Sequence, residues 1–274
     1  VYEYMGPAWY QREIEIPAAW KGKRIFLYFE RTHWLSSVYV GKEEVSKIDY
    51  ISIPHNHELT QWLHPGKKEL ITFCIDNRYQ YDTHKWDHAH SEFTQINWNG
   101  VLGEIKLVAV DPVYVDDMQV YPDIKNKSIK VKMTVRNCTE HTASGKISFH
   151  VTGKDYRLQK EVPVTVTDSI TYIEEEMFLG KDIHLWNEFH PNLYTLDCKL
   201  TSSVEGQSYA HEKSTTFGMR EVEAGEDHII LNGEPIHLRG TVENAVFPKT
   251  GYAPVDDASW ERVLRILKEY GMNH

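Results

Sequence analysis

Short runs of β-branched and aromatic residues, separated by turns that contain glycine or proline, recur over most of the chain and favour antiparallel β-sheets. Strands at short, regular intervals are typical of all-β sandwiches and barrels. We predict that the first part of the chain is a sandwich of the jelly-roll kind, in which the loops form the functional surface. Its strands are expected at residues 10–16, 24–30, 37–40, 70–76 and 103–110.

A second series of such runs begins after Asp111-Pro112. Residues 130–135 and 146–151 alternate between polar and apolar side chains, which is the pattern of a strand with one buried face. About seven strands over about a hundred residues suit an immunoglobulin-like sandwich, with a corner between its two sheets at residues 185–194. The strands are expected at residues 113–120, 128–137, 145–152, 161–166, 170–178 and 193–203.

Near the C-terminus the pattern changes to hairpin, strand, loop and helix. The Asn232-Gly233 pair lies between two β-rich runs and predicts a tight hairpin. A strand then leads to residues 239–241, and the prolines and glycine of residues 242–255 predict a loop.

The helix that follows is predicted between a cap at Asp256 or Asp257 and Gly271, which suits a left-handed terminal residue. Strand, loop and helix make one repeat of a (β/α)8 barrel, which needs about 250 residues when complete. We therefore expect a truncated barrel start. A lone parallel strand leaves the hydrogen-bonding groups of its edges unpaired. We therefore expect the C-terminal helix that follows it to be the least stable element. The apolar face of the helix consists of Trp260, Val263, Leu264, Leu267 and Tyr270.

The charge and the cysteine pattern exclude several kinds of protein. A net charge of −10 argues against a nucleic-acid partner, which needs a basic face. The three cysteines, Cys74, Cys138 and Cys198, are odd in number and far apart, so buried reduced thiols are favoured over disulfides. No run is apolar enough to cross a membrane, and we predict no membrane partner. We expect that residues preceding Val1 have been removed, so the compartment is not encoded here.

A histidine-rich segment has the residue types of a metal site but not the spacing. His84, His88 and His90 lie near Asp82 and Asp87 without the regular spacing that zinc ligands have on a helix. A solvated loop is the favoured interpretation, and we predict neither a metal nor a cofactor.

Several short motifs follow one another in a definite order along the chain: residues 9–13, 20–27, 38–45, 63–67, 75–78, 186–194, 217–220 and 230–240. In this order they resemble glycoside hydrolase family 2, which contains β-galactosidase, β-glucuronidase and β-mannosidase. Phe217-Gly218-Met219-Arg220 and Leu231-Asn232-Gly233-Glu234-Pro235 are the closest matches, similar to the F-G-x-R and L-N-G-x-P motifs that precede the family's barrel.

The resemblance implies a retaining exo-β-glycosidase that hydrolyses terminal β-glycosidic bonds of oligo- or polysaccharides. Such enzymes use an acid/base and a nucleophilic glutamate about 5 Å apart. The resemblance implies that both lie beyond His274, so we expect no catalytic residue in this chain and no hydrolytic activity of its own. It also implies a periplasmic or secreted protein.

Two groups of residues are candidates for contact with a carbohydrate substrate. The polar and aromatic run at 88–100 supplies Gln95, Asn97, Trp98 and Asn99, which the resemblance places in a loop that reaches the barrel mouth. The alternative, which the sequence favours equally, is that Trp98 is a core residue and that the asparagines cap a turn.

Arg239, Glu243 and Asn244 lie at and after the end of the first barrel strand, where barrel active sites form. Val242 stands where β-galactosidases carry a histidine, which argues against galactosidase specificity. The alternative is a buried ion pair between Arg239 and Glu243.

The predicted organisation is mainly β, with a jelly-roll sugar-binding domain at residues 1–111, an immunoglobulin-like sandwich at 112–218 and the start of a barrel at 219–274. A non-catalytic carbohydrate-binding module is the main alternative function, and a purely structural pair of sandwiches is a third. Assembly into a homo-oligomer is allowed, although no interface is predicted.

Overall fold

The structure, a computed structural model, describes residues 4–51, 53–78, 98–243, 247, 249–251, 253–254 and 256–274. It confirms the mainly β architecture, with antiparallel sheets and one α-helix near the C-terminus. The chain divides into two units, Val1–Val110 and Asp111–His274. Within the described residues, no helix has the length and hydropathy needed to span a membrane.

The first unit is a sandwich of two antiparallel sheets. One sheet has the strand order β1-β6-β3-β4 and the other β5-β2-β7, and apolar side chains such as Phe29, Val38 and Ile75 are fully buried in the core cluster. The strands are β1 (Pro7–Glu15), β2 (Arg24–His33), β3 (Leu35–Val40), β4 (Glu43–Asp49), β5 (His55–Glu58), β6 (Lys68–Asp76) and β7 (Gly100–Val110), with a 3₁₀ helix at Ala18–Trp20.

The second unit begins with another antiparallel sandwich. Its sheets have the strand orders β11-β10-β13-β14 and β12-β9-β8, and their alternating inward residues, such as Met133, Phe149 and Leu196, form one core. Between β12 and β13 the chain passes from one sheet to the other, and Trp186 pairs with Pro191 at the predicted corner. The strands are β8 (Val113–Asp123), β9 (Ser128–Asn137), β10 (Ala143–Gly153), β11 (Tyr156–Val166), β12 (Ile170–Phe178), β13 (Tyr194–Val204) and β14 (Gln207–Phe217).

A three-stranded sheet follows, made of β15 (Val222–Ala224), β16 (Ile229–Leu231) and β17 (Glu234–Ile236). The hairpin predicted at Asn232-Gly233 is present, since both residues have positive φ, 55° and 87°. That combination is what a two-residue type I′ turn requires.

Helix α1 (Asp257–Glu269) begins and ends where the sequence predicted. The Asp256 carboxylate accepts a hydrogen bond of 2.8 Å from the Ser259 backbone N–H, and Gly271 has a φ of 77°. No residue of α1 is buried. Its apolar face therefore contributes little to the packing of the unit.

The strand expected to lead to residues 239–241 is not formed in this chain, since residues 237–243 have no regular secondary structure. The backbone N–H groups of Asn273 and His274 both donate to the Arg239 carbonyl, at 2.9 and 3.3 Å, without extending into a ladder. A parallel strand needs pairing along its length, and this single contact supplies only one point of it.

Candidate functional site

The structure describes four of the predicted substrate-binding residues. Trp98 and Asn99 lie in the first unit, directly before β7, and Arg239 and Glu243 lie in the second unit. The other candidates, Gln95, Asn97 and Asn244, and the histidine-rich segment at 82–90 are outside the described residues. The two described groups belong to different units.

Trp98 is held by two buried side chains. Its carbonyl oxygen accepts hydrogen bonds from Nδ1 of His33, at 2.9 Å, and from Nδ2 of Asn77, at 3.1 Å. The imidazole of His33 also lies against the indole of Trp98, with ring centroids 4.9 Å apart. Since Trp98 itself is only half-buried, it is neither a core residue nor a free surface ring.

Asn77 follows β6 and is fully buried. Besides Trp98, its Nδ2 donates to the Tyr4 carbonyl at 2.8 Å, and its Oδ1 accepts from the Gly6 N–H at 2.9 Å. One amide group therefore connects the N-terminal segment, the end of β6 and the entry to β7. We did not predict this role, although Asn77 belongs to the motif at 75–78.

Asp76 and Arg78, on either side of Asn77, form an ion pair. Arg78 donates to Asp76 through its backbone N–H and its guanidinium, with Nε 3.0 Å from both carboxylate oxygens. These bonds, with the guanidinium contribution the largest, lower the pKa of Asp76. The carboxylate is therefore ionised at neutral pH and anchors the chain next to Asn77.

Asn99 contacts the N-terminal segment through its side chain. Its Nδ2 donates to the Gly6 carbonyl at 2.8 Å, which ties the entry to β7 to the N-terminal segment. Its Oδ1 is buried and has no hydrogen-bond donor among the described residues. The side chain thus serves the fold at least in part.

A buried polar chain closes one edge of the first unit's sandwich. The rings of His55 and His57, on β5, both lie within hydrogen-bond distance of the Ser36 hydroxyl on β3, at 2.6 and 2.8 Å. The outer nitrogens contact the Tyr50 carbonyl, at 2.9 Å, and the Ser46 hydroxyl, at 2.8 Å. Because the two serines and the two histidines belong to different sheets, the chain links the sheets.

The direction of this hydrogen-bond chain follows from the Tyr50 carbonyl, which can only accept. His55 must donate to it from Nε2, so its Nδ1 accepts from the Ser36 hydroxyl. Ser36 in turn accepts from Nε2 of His57, whose Nδ1 accepts from Ser46. Every polar group is satisfied while both rings are neutral.

Burial reinforces the neutral state of both histidines. Burial lowers the pKa of His57 to about 3, with a further lowering from His55, and burial is also the main cause of the lowered pKa of His55. Both rings have no exposed surface. We assign these hydrogen-bonded serines and histidines a structural role, since no ligand can reach the buried rings.

In the second unit, Asn273 connects Arg239 to the sandwich corner. Its Oδ1 accepts from the Arg239 backbone N–H at 2.8 Å, and its Nδ2 donates to Oε1 of Glu188 at 2.9 Å and to the His237 carbonyl at 3.1 Å. The Arg239 guanidinium donates to the Gly271 carbonyl at 2.8 Å. The start of the predicted barrel is therefore fixed to the corner by one amide.

Arg239 and Glu243 are both exposed in this chain, and the buried ion pair between them stays a prediction for a complete barrel. Close backbone packing explains the glycine after Arg239. A Cβ on Gly240 would lie 2.4 Å from the His274 carbonyl oxygen, and only glycine allows this approach.

Asn232 fastens the hairpin to the same corner. Its Nδ2 donates to the Trp186 carbonyl and its Oδ1 accepts from the Glu221 N–H, both at 2.9 Å. The Arg220 guanidinium lies 4.6 Å from the centre of the Trp186 ring, a cation–π contact. The motifs at 186–194, 217–220 and 230–240 thus meet in space.

A shallow groove on the outer face of β10, β13 and β14 has a volume of about 570 Å³. Its lining is polar and includes His150, Asp197, Lys199 and Glu212, without a tryptophan, tyrosine or phenylalanine. Lys199 and Glu212 bond each other at 2.7 Å. The groove lacks the aromatic face of a sugar site. The described residues also contain no cluster of ligands suited to a metal ion.

Comparison with known proteins shows what this chain is similar to. The sequence profile of the glycosyl hydrolases family 2 matches residues 113–220, which include the second unit's sandwich and the Phe217–Arg220 motif. The resemblance predicted from the motifs is confirmed.

Relatives in this family are glycosidases. A β-galactosidase of Thermoanaerobacter pseudethanolicus is 24% identical over 275 residues, which cover 99% of this chain and 36% of the relative. A β-glucuronidase of Paenibacillus borealis is 22% identical, with coverage of 87% of this chain and 40% of the relative. The chain thus spans well under half the length of these relatives.

Solved structures show the same fold. The chain is similar to β-glucuronidase 2 of Bacteroides uniformis, with a TM-score of 0.78, 19% identity and coverage of 98% of this chain and 33% of that chain. It is also similar to a β-glucuronidase of Ruminococcus gnavus, solved with D-glucuronic acid, with a TM-score of 0.73, 20% identity and coverage of 99% and 46%.

Proposed function

We propose that this chain is the N-terminal part of a retaining exo-β-glycosidase of the β-galactosidase type, which hydrolyses terminal β-glycosidic bonds in oligo- or polysaccharides. The observation that carries the proposal is the alignment of 99% of the chain with 36% of a β-galactosidase. The acid/base and nucleophilic glutamates then lie beyond His274, and the domains are residues 1–111, 112–218 and 219–274.

The geometry of the second unit supports this proposal. Asn232 and Asn273 both bond the sandwich corner, so the corner fixes the hairpin and the end of the chain relative to the sandwich. A barrel that continues from His274 would start from a rigid base. Arg239 and Glu243, both exposed, would then lie at the edge where substrates bind in barrels.

The test compares this chain with the longer protein that contains it. Both are assayed with aryl β-galactoside, β-glucuronide, β-mannoside and β-glucoside. We expect release of the aryl group by the longer protein only, and the preferred glycoside names the sugar. Hydrolysis by the short chain would contradict the placement of the glutamates. Inactivity of both on all four glycosides would contradict the glycosidase proposal.

A carbohydrate-binding module is a second candidate function, and the half-buried Trp98 ring favours it, since sugars stack their C–H faces on exposed aromatic rings. Titration of this chain with the products of the same glycosides, followed by tryptophan fluorescence, tests this function. Affinity in the millimolar range or tighter that is lost in Trp98→Ala would support it. Absence of any fluorescence change up to high sugar concentration would exclude it.

A further inference from the structure

We infer that Asn77 and His33 are positioning residues that hold Trp98 and Asn99 in the arrangement a glycoside substrate contacts. The inference rests on the proposed function and extends it to residues that lie behind the candidate site. Neither residue is solvent-exposed, at 0% for Asn77 and 2% for His33. Each therefore acts through Trp98 rather than on the sugar.

The first step is the carbonyl of Trp98, which accepts from Asn77 at 3.1 Å and from His33 at 2.9 Å. A carbonyl oxygen has two lone pairs, and these two bonds use both. Since both donors are buried, water does not compete for the carbonyl, and the peptide plane is fixed from two directions.

The second step concerns the Trp98 ring. The carbonyl can only accept, so the His33 imidazole carries its proton on Nδ1, and this bond fixes the orientation of the imidazole. The same imidazole lies 4.9 Å from the indole, with 35° between the planes. His33 therefore contacts both the backbone and the ring of Trp98.

The third step connects Asn99 to the same pair. Asn77 accepts from the N–H of Gly6, and Asn99 donates to the carbonyl of Gly6. Asn77, Gly6 and Asn99 thus form a closed loop of contacts with Trp98. Loss of the Asn77 amide displaces Trp98 and Asn99 together, which is the behaviour expected of a supporting residue.

The expected kinetic effect follows from the role inferred for Trp98. A ring that stacks on the sugar without touching the reacting atoms binds the ground state and the transition state equally, so its displacement weakens both equally. KM then rises while kcat is unchanged. We expect a rise in KM of about tenfold for Asn77→Asp, which corresponds to about 1.4 kcal/mol of lost binding.

Asn77→Asp is a suitable change because it is isosteric. One carboxylate oxygen still accepts from Gly6, while the other faces the carbonyls of Tyr4 and Trp98 and can no longer donate. Asn137 offers a matched control in the other unit. It is 3% exposed, its Nδ2 donates to the carbonyls of His141 and Val166, and its Oδ1 accepts from the Thr139 N–H.

The experiment measures kcat and KM of the longer protein as wild type, Asn77→Asp and Asn137→Asp, on its preferred aryl glycoside. In parallel, hydrogen exchange of the Asn99 and Gly100 amides is measured in this chain. We expect a raised KM and faster exchange in Asn77→Asp alone. His33→Asn retains a donor near the position of Nδ1 and should raise KM less than His33→Leu.

The outcomes separate the two proposals. Equal KM values in the two asparagine variants of an active protein would overturn the positioning role and leave the glycosidase intact. A fall in kcat without a change in KM would also overturn it. An inactive wild type would refute the proposed function and this inference together.

Discussion

Acidification is expected to destabilise the first unit through His57. Both rings of the Ser46–His57–Ser36–His55 chain are neutral, and burial lowers the pKa of His57 to about 3. In an unfolded chain the pKa of histidine is about 6.5. Because the unfolded state binds the proton more readily, the contribution is complete above about pH 6.5 and is lost as the pH falls towards about 3.

The magnitude follows from this difference in pKa. At pH 5 the solution is about 1.5 pH units below the pKa of histidine in the unfolded chain. Each unit is worth about 1.4 kcal/mol of stability, which gives a loss of about 2 kcal/mol relative to pH 7. His55, whose pKa is also lowered by burial, contributes with the same sign. The charge of Asp49 opposes this contribution.

The assay is urea unfolding at pH 7, 6 and 5, in which pulsed hydrogen exchange and mass spectrometry monitor the unfolding of each peptide. Peptides from β2 to β4 report the first unit separately from the second. In His57→Gln the titrating group is absent, so the loss between pH 7 and pH 5 should be about 2 kcal/mol smaller than in the wild type.

His64→Gln, at an exposed histidine of the same unit, controls for the substitution itself. The comparison is made within each variant, so a constant loss of stability from the glutamine cancels. Equal losses on acidification in the wild type and in His57→Gln would refute the assignment of His57 as a buried neutral ring.

Three further predictions concern packing and reactivity. Asn232→Asp places a carboxylate oxygen against the Trp186 carbonyl and should destabilise the second unit by about 2 kcal/mol in thermal unfolding, whereas an unchanged melting temperature would disprove the amide clamp. Gly145→Ala brings a Cβ to 1.9 Å from the Thr201 carbonyl oxygen and should cost about 3 kcal/mol in urea unfolding; a neutral result would contradict this close packing. Iodoacetamide at pH 8 should label the exposed Cys138 in the folded protein. Burial raises the pKa of Cys74 and raises that of Cys198 to about 12, so label found on either by mass spectrometry would contradict the packing of these strands.

The sequence predicted strands well where every second residue is apolar and missed β5 and β14, where it is not. In β9 and β10 every second residue is apolar, and these strands have nearly the predicted bounds. Strand β5 reads His-Asn-His-Glu and has no β-branched or aliphatic residue, so it was missed. Its histidines are buried only because serines from two other strands complete their hydrogen bonds.

The candidate site was predictable only in part, for a similar reason. The polar and aromatic composition of residues 88–100 identified Trp98, but the residue that fixes it did not stand out. Asn77 lies 21 residues from Trp98 and 73 from Tyr4, and such pairings depend on the fold rather than on local pattern. The strand predicted at 239–241 failed because local propensity cannot supply the neighbouring strands of a parallel sheet.

The sandwich corner at 185–192 implies an order of assembly. Asn232 lies 46 residues from Trp186 and Asn273 lies 85 from Glu188, so both clamps close long stretches of chain, at an entropy cost that grows only slowly with length. The corner fixes itself locally, since Asn187 accepts from backbone N–H groups two and three residues later. It also leaves the ribosome before either clamp. The three-residue strands that follow are too short to persist alone in water. The corner's own bonds therefore need no distant partner, whereas the hairpin and the end of this chain depend on the corner for theirs.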